Sequence, residues 1–103
     1  MGYLERRDRA RIYAEILENI HHAYLAGERP TITKIQNKVN VPFVRFKEYI
    51  DDLENKDLIK LETDITLTEK GIQYLKEYKK VRDFLERFGL IRPKEDDDGD
   101  QPI

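Results

Sequence analysis

Two helix-like segments meet with almost nothing between them, and this constrains the chain more than any other feature. Ile35 and Val39 mark one apolar stripe; Phe46, Tyr49, Ile50 and Leu53 mark the next. Only Asn40 and Val41 separate the first segment from Pro42. Asn40 suits a tight turn because it tolerates positive φ. Pro42 suits the first position of a helix, where a missing N–H costs nothing. Thr33 followed by Gln36 reads as a capping box opening the shorter helix. Ile35, Val39, Val41, Phe46 and Ile50 would then lock the two helices at a fixed angle.

The flanking segments complete the order. Ile12, Ile16, Ile20 and Ala23 recur at helical spacing, so a first helix is expected from about Glu5 to Ala26, stopped by Gly27. Asp57 stands where glycine would end the third helix more easily. Ile59 and Leu61, then Ile65 and Leu67, alternate with polar residues, which predicts a short hairpin turning at Thr63 and Asp64. Thr68 is a good N-cap for a last helix running to about Phe88 and stopping at Gly89. A rod of that length spans about 30 Å, more than so small a core needs. The expected fold is mainly α with a two-stranded β hairpin: a winged helix-turn-helix over residues 5–67, then a long helix over 68–88.

Composition bounds the rest. The chain has 103 residues, 39% apolar and 39% charged, so it makes one domain with a thin core. It has no cysteine, which removes disulfide scaffolds, thiolate metal sites and cysteine nucleophiles. No apolar run is long enough for a membrane span, and the charged start from Glu5 to Arg9 is unlike a signal peptide. The net charge of −2 hides an asymmetry. With the two basic and five acidic residues from Arg92 onward set aside, 17 basic and 16 acidic residues remain. Residues 89–103 read as a disordered acidic tail, either a solubilising segment or a competitor of DNA for basic side chains.

The run from Ile35 to Phe43, with Phe46, Tyr49, Ile50, Leu53, Leu58 and Ile59, resembles small archaeal winged helix-turn-helix proteins of the predicted-transcriptional-regulator type. So does the Leu67-Thr68-Glu69-Lys70-Gly71 lead-in to the last helix. The resemblance covers about residues 10 to 88. It implies a DNA-binding protein, chromatin-associated in some members, that dimerises through an antiparallel coiled coil of its last helix. A cytoplasmic, nucleoid-associated location follows from it. Two positions depart from the pattern: Pro42 stands where a capping serine or threonine is common, and Asp57 where glycine is common.

The charge pattern agrees with double-stranded DNA as a partner. Lys34, Lys38, Arg45 and Lys47 face only Glu48 between Thr31 and Tyr49. The guanidinium of Arg45 can pair with a guanine edge, and Phe43 or Val44 can touch a thymine methyl. Lys34, Lys38 and Lys47 would hold phosphates, with Thr31 and Thr33 adding backbone contacts. On the hairpin, Lys60 is the one expected contact, because Glu62 and Asp64 repel phosphate. Arg6, Arg7, Arg9 and Arg11 read either as a DNA arm or as an ordinary solvated helix start. Asp51, Asp52 and Glu54 follow on the reading helix, so a winged helix used for protein contact is the alternative.

In the last helix, Gly71, Tyr74, Tyr78, Val81, Leu85 and Phe88 keep heptad spacing. The expectation is that Ile72 and Leu75 pack on the domain, while Tyr74, Tyr78, Val81, Leu85 and Phe88 form a homodimer interface. A helix folded back on its own domain is the competing reading. Two-fold pairing would set two recognition helices at a fixed separation. No cofactor or metal site is expected, since His21 and His22 are adjacent and face different ways. No phosphate loop or nucleophile turn appears, so the chain does not read as an enzyme.

Overall fold

The computed structural model describes residues 8–91. The expected helix start at Glu5, with Arg6 and Arg7, and the acidic run from Glu95 lie outside those residues. The elements are α1 (Arg9–Leu25), α2 (Ile32–Val39), α3 (Phe43–Asn55), β1 (Ile59–Leu61), β2 (Ile65–Leu67) and α4 (Glu69–Arg87). The molecule is thus mainly helical with one two-stranded antiparallel hairpin, as the residue pattern predicts.

Local chemistry sets the boundaries. The Asp8 carboxylate caps α1 by accepting from the Arg11 N–H at 2.9 Å. Gly27, at φ 77°, ends that helix, and the Glu28 N–H returns to the Ala23 carbonyl. The same closing turn ends α3, with Asp57 at φ 65° and the Leu58 N–H on the Leu53 carbonyl. Leu53 and Leu58 are both buried, which supplies the apolar contact that accompanies this turn and holds a non-glycine residue in a left-handed conformation. At α4, the Thr68 hydroxyl accepts from the Gly71 N–H at 3.0 Å and donates to the Asp57 carbonyl at 2.7 Å.

The cap of α2 differs from the expectation. Thr31, not Thr33, is the N-cap, its hydroxyl accepting from the Lys34 N–H. Ile32 packs against the core beside Ile35 and Val39, so burying that stripe requires the helix to begin at Ile32. Gln36 does not reach back to the helix start. Its side-chain amide donates to the Val41 carbonyl at 2.7 Å and braces the turn between α2 and α3. Asn40 supplies the left-handed residue of that turn, at φ 57°.

One core joins these parts. Ile16 and Leu17 of α1, Ile35 of α2, Phe46, Ile50 and Leu53 of α3, and Ile59 and Ile65 of the hairpin are almost wholly removed from solvent. Burying such a side chain contributes about 1.5–3 kcal/mol. In the hairpin, Ile59 faces Leu67, Lys60 faces Thr66 and Leu61 faces Ile65. The Ile65 N–H also bonds to the Pro30 carbonyl at 3.0 Å, tying β2 to the α1–α2 loop.

Two placements on α4 correct the expected division of its faces. Leu75 packs on the core as expected, but Ile72 is 38% exposed, and Tyr74 takes the inner position. Ile72 lies about 100° around the helix from Gly71, which meets the Leu58 carbonyl. The chain also stays folded past Gly89: the Leu90 N–H bonds to the Leu85 carbonyl and Ile91 is buried.

Candidate nucleic-acid interface

The buried stripe of α3 is Phe46, Tyr49, Ile50 and Leu53. At 100° per residue, the opposite stripe is Val44, Glu48, Asp51 and Asn55, spaced four, three and four apart. All four are exposed. Arg45 flanks this stripe on one side, Phe43 and Lys47 on the other. Phe43 is 56% exposed and Val44 72%, so both apolar side chains at the head of α3 face solvent rather than the core.

The cations around this head have different freedom. Among the described residues, no carboxylate lies within ion-pairing distance of Lys34, Arg45, Lys47 or Lys60. Lys38 sits 3.9 Å from Glu28 at the surface, a weak contact. Thr33 is exposed, while the Thr31 hydroxyl is engaged as a helix cap. Lys60 is exposed on β1, and the nearby acid of the wing is partly neutralised, because Asp64 pairs with Arg29 at 2.9 Å.

One carboxylate of α3 is turned away from this face. Asp52 accepts from the Tyr13 hydroxyl and pairs with Lys56 at 2.8 Å and Arg9 at 3.7 Å. The Lys56 ammonium and the Tyr13 hydroxyl hold its pKa below the usual carboxylate value. Burial pushes the Tyr13 hydroxyl's pKa up, with the Asp52 bond adding to the rise. Arg9 lies 5.9 Å from the ring centre of Tyr13 and 5.4 Å from that of Tyr49. Arg11 bonds to Glu15 at 3.2 Å. Of the four arginines considered as an arm, these two serve the fold, and Arg6 and Arg7 lie outside the described residues.

A family model for winged helix-turn-helix domains matches residues 6–86. The chain belongs to the winged helix-turn-helix family. It is also similar to the crystal structure of AF1382 from Archaeoglobus fulgidus, at 30% identity and a TM-score of 0.60. That match covers 72% of this chain and 87% of the other. Comparison with the curated proteins returned no match. Within that family's arrangement α2 and α3 are the helix-turn-helix pair and β1 and β2 the wing, an architecture suited to DNA binding.

Beyond the winged domain, α4 divides into two parts. Its first half is tied to α1: the Tyr74 hydroxyl donates to the Ala10 carbonyl at 2.7 Å, and burial pushes its pKa up to about 12. Tyr78 stacks on Tyr74 with ring centres 6.2 Å apart and is half-buried. Its second half offers Val81 at 47% exposure, Phe84 at 49% and Phe88 at 65%, with Leu85 half-buried beside them. Arg82 is buried and bonded to Glu86 at 3.2 Å, a placement that no apolar periodicity in the sequence marks. The groove between α1 and α4 holds about 770 Å³, and charged residues line it together with Ala14, Ile72, Leu75, Tyr78 and both histidines. No metal-binding group of three His, Cys, Asp or Glu residues forms among the described residues. None of the helices there is long and apolar enough to cross a membrane.

Proposed function

We propose that this chain binds double-stranded DNA as a homodimer and acts as a transcriptional regulator, with the head of α3 entering the major groove. The observation that carries this reading is the set of exposed side chains at that head. Phe43, Val44, Arg45 and Lys47 are all exposed around the outer side of a helix whose other face is locked into the core, with Lys34 and Lys38 of α2 nearby in sequence. The cations supply phosphate attraction through counterion release, and Arg45 supplies a bidentate donor for guanine. Lys60 gives the wing one phosphate contact, and Thr33 adds a polar one. The homodimer rests on Val81, Leu85 and Phe88, where an apolar surface stands exposed on a helix longer than its own core requires. Tyr74 and Tyr78 contribute only their outer edges, because α1 covers the rest.

A second reading is favoured by one observation: Glu48 and Asp51 lie on the outermost stripe of α3, where a protein partner with basic side chains would fit. Fluorescence anisotropy with random-sequence duplex DNA separates the two. DNA binding predicts affinity that falls steeply and log-linearly with salt; absence of binding at low salt leaves the protein-contact reading.

A further inference from the structure

We propose that Glu48 is a base-reading residue, its carboxylate accepting a hydrogen bond from the exocyclic amine of a cytosine in the major groove. The assignment rests on the DNA-binding reading above and gives it a sequence preference.

Glu48 occupies the middle of the outward stripe, one turn beyond Val44 and flanked by Arg45 and Lys47. This is the part of a recognition helix that meets base edges. Its charge is not consumed within the protein. Among the described residues no cation lies within ion-pairing distance of it, whereas Asp52, one turn on, is held inward by Tyr13, Arg9 and Lys56.

A carboxylate in that place is a selective group. An ionised carboxylate only accepts hydrogen bonds, so phosphates repel it, as do the N7 and O6 of guanine and the O4 of thymine. The cytosine N4 amine has an acceptor on one side only, the O6 of its paired guanine, whereas adenine N6 lies between its own N7 and the O4 of thymine. Glu48 therefore weakens contact with random sequence and tolerates a C·G pair. The cations on either side restore affinity through the backbone, where they do not discriminate. Val44, one turn earlier, adds an apolar contact that suits a neighbouring thymine methyl.

The test selects duplexes from a random pool with the full chain and with its Glu48→Gln variant. Affinities are then measured for the retained sequence and its single substitutions. The substituted side chain is exposed, and an unchanged melting temperature confirms an intact fold. The expected wild-type pool carries a C·G pair at one position of each half-site, and replacing it costs roughly 5- to 100-fold in affinity. In the Glu48→Gln variant that preference moves to A·T, because glutamine matches the adenine edge, and affinity for random duplex rises. Identical preferences in the two pools overturn the assignment while leaving DNA binding intact. So does a wild-type pool with no C·G position. Retention of no duplex by either protein overturns the DNA-binding reading and the assignment with it.

Discussion

The Tyr13 hydroxyl donates to the Asp52 carboxylate, joining α1 to α3 across 39 residues of sequence. The Tyr13 ring meets Tyr49 edge-on at 5.6 Å, and Arg9 covers both rings. This clamp fixes the inner side of α3 and turns one of its acids away from the exposed Val44–Glu48 stripe.

The clamp makes stability depend on acid. The folded pKa of Asp52 is depressed, so its contribution is present above the unfolded value of 3.8 and is lost as pH falls through the lower folded value. Asp52→Asn is expected to be less stable than wild type at about pH 7 and to converge on it below about pH 4. Urea midpoints across that range check this; a constant gap would contradict it.

Gly71 packs α4 against the turn between α3 and β1. A Cβ there would stand 2.3 Å from the Leu58 carbonyl oxygen, a backbone atom that cannot swing away. Gly71→Ala should destabilise by about 1–3 kcal/mol despite the higher helix propensity of alanine, as read by thermal or urea unfolding.

At the α2–α3 turn, Asn40→Val forces a β-branched residue into the left-handed region and should cost about 1–2 kcal/mol. Asn40→Gly should stay close to wild type. Paired denaturation curves distinguish backbone conformation from side-chain loss.

Arg45→Ala with Lys47→Ala should weaken binding, reduce the salt slope by about 1 through the lost Lys47–phosphate contact, and relax the preference at the guanine that Arg45 reads. Arg11→Ala, which removes a cation paired with Glu15, should leave the slope unchanged. Anisotropy titrations at several salt concentrations provide the comparison, and equal slopes for all three proteins would exclude α3 as the reader.

Val81→Glu with Phe88→Glu should convert a dimer to a single chain in sedimentation. Helix content should be retained, because Val81 is 47% and Phe88 65% exposed within the protomer. A wild-type chain sedimenting as a monomer at micromolar concentration would remove the dimer reading.

Much of the fold was legible in residues close together in sequence. The Asn40 turn, the strained stop at Asp57, the two hairpin strands and the Thr68 cap each depend on a few neighbouring side chains and their backbone preferences, whereas the pairing Leu61 to Ile65 adds Glu62 to the expected Thr63–Asp64 turn. The α2 cap was not. Thr31 and Thr33 have the same hydroxyl chemistry, and the choice between them follows from burying Ile32 against residues distant in sequence. The candidate site was legible as a charge count but not as a surface, since Glu48 and Asp52 look alike in the sequence and point to opposite fates.

The order of elements, their stops and the apolar stripe of each helix are properties of the sequence by itself, because periodicity and cap chemistry act over a turn or two. Tertiary packing decided which face of each helix is covered: Tyr74 rather than Ile72 turns inward, Asp52 is clamped, and Val44 and Glu48 are presented to solvent. Those outcomes depend on where α1 crosses α3 and α4, and that crossing is set by the shared core, which no local stretch of sequence contains.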